Sequence, residues 1–154
     1  MTRWSYQAPI ARDAGLEARI AEDPDALEPY LVYADWLQER GDPRGELITI
    51  QVLMETAAPD ALGVLHQREV ALLRDHLAYL RGPLAPTAIT YHRRGFVRQI
   101  DAIGESGLDD VLAALAIDHI ATRFLARVRC DLDLDDVRDR LATLGRSCEV
   151  VGFQ

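Results

Sequence analysis

The stretch LVYADWLQERGDPRGELI, residues 31–48, decides the fold of the first half of the chain. Leu31, Ala34 and Leu37 in this stretch belong to an apolar stripe at helical spacing, which predicts one helix. Gly41 predicts a left-handed helix end, and Asp42-Pro43 supplies a capping carboxylate and a first-turn proline for the next helix. Because the connection is so short, the two helices are predicted to pack tightly. The stripe consists of Leu27, Tyr30, Leu31, Ala34 and Leu37.

Further helix signals lie on both sides of this stretch. Asp23-Pro24 has the same cap-and-proline signature and predicts the start of the stripe-bearing helix. A short helix is predicted around residues 16–21. A longer helix opens at Pro59, carries leucines at helical spacing and stops at Gly82. These signals predict a helical domain over residues 1–84.

The second half, residues 85–154, alternates between strand and helix patterns in the order β-α-β-α-β. Leu108-Asp-Asp-Val111 recurs as Leu134-Asp-Asp-Val137, and a strand-plus-helix unit at this spacing falls in the range of leucine-rich repeats, although their defining core is absent. The predicted fold class is therefore α/β, more narrowly α+β, with an N-terminal helical bundle packed on a small repeat-like half. The strands are predicted at Phe96–Asp101, Phe124–Asp131 and Cys148–Phe153, and the helices are predicted to be capped at Ser106 and Asp133.

The charge of the chain argues against nucleic acid and anionic membranes as partners. The formal net charge is −8 and the sequence pI is about 4.9, so wholesale binding to polyanions is disfavoured. All 17 basic residues are arginine, which a GC-rich bacterial genome explains better than selection for arginine chemistry. Residues 61–100 nevertheless hold 6 arginines against 2 acids. Arg93, Arg94 and Arg98 predict a local basic patch there.

Several functional classes lack their signatures in this sequence. Residues 1–10 contain no apolar core of a signal peptide, and no apolar run approaches the length of a membrane span. Cys130 and Cys148 are too few for the disulfide framework of a secreted protein and predict free thiols. The four histidines are not spaced as metal ligands, and no phosphate-binding loop or nucleophile motif occurs. We therefore expect a cytoplasmic protein without cofactor, metal or membrane partner.

Three short motifs in the chain resemble those of a known family. Residues 33–37 read Tyr-Ala-Asp-Trp-Leu, and residues 39–46 read Glu-Arg-Gly-Asp-Pro-Arg-Gly-Glu. Residues 91–97 end in Arg-Gly-Phe-Val. Together these motifs resemble the bacterial repeat-companion domain, in which a similar Arg-Gly-Phe-Val element often precedes leucine-rich repeats. The resemblance implies a helical domain beside a repeat array, here cut to about two units, and it carries no catalytic residues over to this chain.

The first candidate site is the corner between the two motif-bearing helices. Tyrosine, tryptophan and arginine dominate binding energy where they are exposed, so this corner is a candidate recognition surface. The alternative, which the residue types favour, is a structural network in which carboxylates pair with arginines and fix the corner. The residues concerned are Tyr33, Asp35, Trp36, Arg44 and Glu46.

The second candidate site is the basic segment before and after the Arg-Gly-Phe-Val element. Its side chains could bind an acidic partner or a phosphate. The alternative is a solvated face that balances the acidic remainder of the chain, since surface charges contribute little energy. The residues concerned are Tyr91, His92, Arg93, Arg94 and Arg98.

These observations favour a non-enzymatic module that binds or regulates another protein in a bacterial cytoplasm. No catalytic constellation is recognisable, whereas both candidate sites are rich in recognition residues. One alternative is an enzyme whose site gathers Asp35, Arg44, Glu46 and His92. The other is weak binding of nucleic acid or another anion through the Arg93–Arg98 patch, which would have to depend on salt.

Overall fold

The computed structural model describes residues 11–154, which form six α-helices, one turn of 3-10 helix and a four-stranded mixed sheet. Among the described residues four helices precede the first strand and all strands lie in the second half of the chain, so the predicted α+β class is confirmed. The expectation that residues 1–10 contain no signal peptide lies outside the described residues. In chain order the elements are α1 (Ala14–Glu22), α2 (Glu28–Gln38), α3 (Pro43–Met54), α4 (Pro59–Arg81), β1 (Ile89–Arg93), β2 (Phe96–Ala102), α5 (Gly104–Leu115), the 3-10 turn (Ile120–Thr122), β3 (Arg127–Cys130), α6 (Leu134–Thr143) and β4 (Glu149–Gly152).

The chain divides into two compact units. The first comprises the residues up to Leu80 together with Arg93–Gly95, and the second comprises Arg81–His92 and Phe96–Gln154. Each unit contains its own cluster of buried apolar side chains. In the first, Leu47, Ile50, Leu72 and Leu80 form a core between α3 and α4. In the second, apolar side chains of the sheet meet those of α5 and α6.

The corner between α2 and α3 forms as the sequence predicts. Gly41 adopts a left-handed φ of 69°, its N–H donates to the Gln38 carbonyl, and the N–H of Asp42 donates to the Leu37 carbonyl. This pair of bonds is the Schellman end of a helix. The carboxylate of Asp42 then accepts a hydrogen bond from the N–H of Arg44, and Pro43 occupies the first turn of α3. One residue, Asp42, thus ends α2 and begins α3.

A missing side chain lets α2 and α3 approach closely at Gly45. A Cβ at this position would lie 2.7 Å from the Ala34 carbonyl oxygen and 2.9 Å from the Gln38 nitrogen. The Gln38 amide donates to the Gly45 carbonyl at 3.2 Å and to the Thr49 hydroxyl at 2.9 Å. The predicted tight packing of the two helices therefore rests on a glycine and on one bridging amide.

The start of α2 and its buried face differ from the prediction. The carboxylate of Asp23 accepts from the N–H of Asp25 in a separate turn, and α2 begins only at Glu28, with its proline at position 29. Of the predicted stripe, Tyr30, Ala34 and Leu37 are buried, whereas Leu27 and Leu31 are exposed. Tyr33 takes the buried place instead. Helical spacing alone allows either set of side chains to be buried. Residues three and four apart share one face both in the predicted stripe and in the observed set Tyr30, Tyr33, Ala34 and Leu37.

The sheet of the second unit has the strand order β1-β2-β3-β4. The predicted order β-α-β-α-β lacked a strand, because β1 precedes the others and forms a hairpin with β2. β2, β3 and β4 run parallel, with Ile100 opposite Val128 and Val128 opposite Val150. These three side chains enter the core, while residues on either side of them in sequence face away from it. The predicted strand–helix alternation of β2, α5, β3, α6 and β4 is therefore present.

The two helices of this unit begin differently. The carboxylate of Asp133 accepts from the N–H of Asp136 and caps α6 as predicted. The predicted cap at Ser106 is wrong, because α5 already begins at Gly104 and its N-cap residue, Ile103, makes no side-chain capping bond. The N–H of Gly104 instead donates to the carboxylate of Asp131 at 2.8 Å. A distant side chain thus replaces the local cap.

The turn between β1 and β2 has left-handed backbone at both central positions. Arg94 has a φ of 50° and Gly95 a φ of 84°, which is the arrangement of a type I′ turn. Gly95 also lies against α3, since a Cβ there would be 2.3 Å from Cγ1 of Ile48. Its N–H donates to the side-chain oxygen of Gln51 at 2.7 Å. The turn therefore needs glycine for both its dihedral angle and its close contact.

We predict that Gly95→Ala destabilises the first unit more than Gly41→Ala. Both glycines have positive φ, and an L-residue in that region loses about 1–2 kcal/mol. Only Gly95 has a neighbour in the way, because no atom lies within 4 Å of the Cβ position at Gly41. Overpacking should add about 1–3 kcal/mol to the loss at Gly95. Urea unfolding of both variants measures the difference, and equal losses would contradict the close contact with Ile48.

Candidate functional site

Arg44 is a buried structural residue of the first unit. Its side chain is 1% exposed, its Nη1 donates to the Gly95 carbonyl at 2.7 Å and its Nη2 donates to the Leu80 carbonyl at 3.1 Å. Burial lowers the pKa of this guanidinium, and the neighbouring Asp42 carboxylate opposes that shift. Arg44 therefore links α3 to the end of α4 and to the turn at Gly95. Its guanidinium is buried away from solvent.

Tyr79 and Asp42 complete this buried polar group. The Tyr79 hydroxyl donates to the second carboxylate oxygen of Asp42, whose first oxygen caps α3. Burial, and then the hydrogen bond to the carboxylate, raise the pKa of Tyr79. The guanidinium of Arg44 lies 6.0 Å from the Tyr79 ring centroid. These contacts form a structural network at the helix corner, with partners other than the carboxylate–arginine pairs expected from the sequence.

Arg94 is also buried, so it is not part of an open basic patch. Its guanidinium forms two bonds to the Glu55 carboxylate, at 2.7 and 2.8 Å, and Nη1 donates to the Asp25 carbonyl at 3.1 Å. It also lies 5.1 Å from the ring centroid of Tyr30. Arg93 remains largely exposed, 3.7 Å from Glu55. The turn thus carries one structural arginine and one solvent-facing arginine.

Tyr33 serves packing rather than recognition. It is 0% exposed, its hydroxyl accepts from the N–H of Asp13 at 3.3 Å and donates to Glu17 at 3.4 Å. Burial raises the pKa of Tyr33 to about 12. A buried tyrosine needs such partners for its hydroxyl, and α1 supplies them. This explains why Tyr33 takes the inward place on α2 while Leu31 stays outside.

Glu46 lines a groove of about 420 Å³ beside the helix corner. Its carboxylate accepts two hydrogen bonds from Arg68, at 2.6 and 2.9 Å, so its ion-pair partner lies on α4. His76, where α4 departs from helical dihedral angles, lies on the same groove. The lining includes both acidic and basic groups, so it indicates no single ligand charge. Its other lining residues are Gln38, Gly41, Asp42, Pro43, Leu72 and Asp75.

The outer face of α2 exposes apolar side chains that the core does not use. Leu27, Leu31 and Val32 are 42%, 41% and 39% exposed, and Trp36 is half-buried one turn beyond Val32. The guanidinium of Arg40 lies 3.7 Å from the Trp36 ring centroid and donates to the Trp36 carbonyl at 2.8 Å. Adjacent exposed apolar side chains mark interaction sites more often than scattered ones do. We call Leu27, Leu31, Val32, Asp35 and Trp36 the α2 face.

Carboxylates lie between the apolar residues of the α2 face. At about 100° per residue, Glu28, Asp35 and Glu39 project between the pair Leu27/Leu31 and the pair Val32/Trp36. All three are exposed. Across residues 11–154, Asp35 has no ion-pair partner, whereas Glu28 lies 3.3 Å from Arg19. The face therefore combines apolar contact area with acidic charge.

The second unit holds the remaining candidate residues. The Tyr91 hydroxyl donates to the Asp101 carboxylate at 3.1 Å, and Arg129 forms two bonds to the same carboxylate, at 2.9 and 2.6 Å. The Arg129 hydrogen bonds lower the pKa of Asp101. His92 and Arg98 are half-buried. Tyr91 thus takes part in a satisfied polar cluster on the sheet.

Five of the predicted candidates fall into two groups. Arg44, Tyr33 and Arg94 are buried, and each is held by the contacts described above. Asp35 and Trp36 reach the surface on the α2 face. Leu31 and Val32 were not predicted as site residues, since Leu31 was assigned to the core and Val32 to no site. Two adjacent apolar residues followed by Tyr33 were the available signal, since a helix of this kind cannot bury all three.

Protein-family models, curated proteins and solved structures yield no match to this chain, so the repeat-companion resemblance stays a prediction. Within residues 11–154 no helix is long and apolar enough to cross a membrane. The same residues contain no group of three or more His, Cys, Asp or Glu side chains arranged to hold a metal ion.

We predict that the Arg94–Glu55 pair makes stability depend on acid pH. The hydrogen bonds from Arg94 lower the pKa of Glu55 from its ordinary value of 4.5. The pair therefore stabilises the fold above that value, and the contribution is lost as the pH falls through the lowered folded pKa. Glu55→Gln should lose about 1–2 kcal/mol at neutral pH and flatten this part of the acid profile.

Urea unfolding from neutral to acid pH measures the effect. Arg94→Gln should flatten the same part of the profile, because both substitutions remove one interaction. A double variant should lose less than the sum of the two single losses. Survival of the full acid dependence in Arg94→Gln would contradict the assignment.

Proposed function

We propose that this chain is a non-enzymatic module that binds another protein through the α2 face. What supports the proposal is the exposure of Leu27, Leu31 and Val32 beside Trp36 on one helix. Burying such side chains against a partner is favourable at about 25 cal/mol per Å² of apolar area. Trp36 adds a large ring that the cation of Arg40 holds in place, and tryptophan is enriched among residues that dominate binding energy.

The conspicuous polar residues of the chain support a binding role over a catalytic one. A general base or nucleophile must reach its substrate. Arg44 donates to two backbone carbonyls in a buried position, and Glu46 is bound by Arg68. These two members of the alternative catalytic set are thus already used by the fold. We place the module in a bacterial cytoplasm, in keeping with its two cysteines and arginine-only basic composition.

We predict that Leu31→Ser combined with Val32→Ser removes the partner without unfolding the chain. Both side chains are about two-fifths exposed, so the change in unfolding free energy should stay within about 1 kcal/mol. Tagged full-length protein is incubated in extract of its source cells, and the proteins retained are quantified against the variant. Proteins retained by the wild type should fall at least tenfold, a loss of about 1.4 kcal/mol or more in binding.

Val64→Ser is the matched control. Val64 is 69% exposed on α4, so this variant also removes an exposed apolar side chain but leaves the α2 face intact. Equal retention by wild type, the α2 variant and the Val64 variant would refute binding through the α2 face.

A further inference from the structure

We infer that the partner of the α2 face presents arginine or lysine side chains among apolar residues, as a cationic amphipathic segment does. This inference rests on the proposed function and adds the chemistry of the partner. It is carried by the charge around the apolar side chains. Between residues 19 and 40, six acids stand against two arginines, and all six acids are exposed.

The existing ion pairs leave this acidic charge largely unbalanced. Arg19 lies 3.3 Å from Glu28, and Arg40 lies 3.8 Å from Glu39 while its guanidinium is held over Trp36. Both arginines are therefore already paired. Asp35, at the centre of the face, has no ion-pair partner within residues 11–154. The acids of the segment are Glu22, Asp23, Asp25, Glu28, Asp35 and Glu39.

A cationic amphipathic segment matches both properties of the face at once. Long basic side chains lay an apolar stem along hydrophobic surface and direct a charged head to a carboxylate. The guanidinium of arginine is suited to this, because it is planar, weakly hydrated and able to bind a carboxylate through two bonds. Glu28, Asp35 and Glu39 lie between apolar neighbours, so each could accept such a head while the stems cover Leu31 and Val32.

Other occupants fit the charge less well. An anionic membrane or a nucleic acid would be repelled by six carboxylates. A second copy of this chain, docking face to face, would oppose acid to acid, and like charges across an interface are unfavourable. An acidic partner segment would meet the same repulsion. The sign of the partner's charge is thus the property that distinguishes these occupants.

The test uses the full chain and two synthetic peptides that differ only in charge. One is a fluorescent amphipathic peptide of leucine and arginine, and the other carries glutamate in place of each arginine. Fluorescence anisotropy should show binding of the arginine peptide and none of the glutamate peptide. The double variant Asp35→Arg with Glu39→Arg should bind the arginine peptide roughly tenfold or more weakly, since attraction at two positions becomes repulsion.

A charge-matched variant separates the site from the bulk charge of the protein. Asp109→Arg with Asp110→Arg reverses an exposed acidic pair on α5 and changes the net charge equally. It should keep the wild-type affinity within about twofold, because salt screens the overall charge of the protein and no residue of the α2 face is altered. Equal weakening by the two double variants would overturn the inference. So would binding of the glutamate peptide as tightly as the arginine peptide.

The outcomes also distinguish this inference from the proposed function. If Leu31→Ser with Val32→Ser abolishes retention from the extract while the arginine peptide fails to bind, the α2 face binds a partner of different charge and the inference is wrong. If that variant changes neither retention nor peptide affinity, the α2 face is not the binding surface and the proposed function is wrong. Self-association that raises the mass of the chain in light scattering and is lost in the same variant would identify a second copy as the occupant and overturn the inference.

Discussion

The first unit depends on one buried guanidinium, that of Arg44. A charged group taken out of water is unfavourable unless its donors are satisfied, so the backbone around Arg44 has to present acceptors at fixed places. The carbonyls of Leu80 and Gly95 do so. Their positions in turn require that α4 ends beside α3 and that the turn at Gly95 lies against Ile48. One side chain thus couples three segments that are far apart in sequence.

This coupling helps to explain why several conspicuous polar residues of the sequence are buried and not exposed at the surface. Arginine, tyrosine and aspartate in one motif indicate a polar cluster, but the residue types alone do not decide between a recognition surface and a structural network. Burial decides between them. Arg44, Tyr33 and Asp42 each satisfy a backbone group or another buried side chain. Asp35, Leu31 and Val32 are among the exposed residues of α2, and Trp36 is half-buried.

The parts of the fold that could be predicted are those set by local backbone chemistry. The start of α3 followed from Asp42-Pro43, and its place after α2 followed from Gly41, because a cap and a left-handed glycine act within a few residues. The inward face of α2 could not be predicted in the same way. Leu31 and Tyr33 compete for it, and the outcome depends on Asp13 and Glu17, which satisfy the tyrosine hydroxyl from another helix. Hydrophobicity alone favours burial of Leu31 over Tyr33 and therefore predicts the wrong buried face of α2.

The same reasoning accounts for the missed strand and for the location of the proposed site. β1 reads Ile-Thr-Tyr-His-Arg, whose alternation is between partly and fully exposed positions, so no apolar period marks it and its pairing with β2 follows from the turn at Arg94-Gly95. In α2 the exposed leucine and valine are the residue types that a core normally takes. Their exposure therefore requires that another side chain has taken the core position, and Tyr33 has done so. A binding surface of this kind can be found only after the interior of the unit is known.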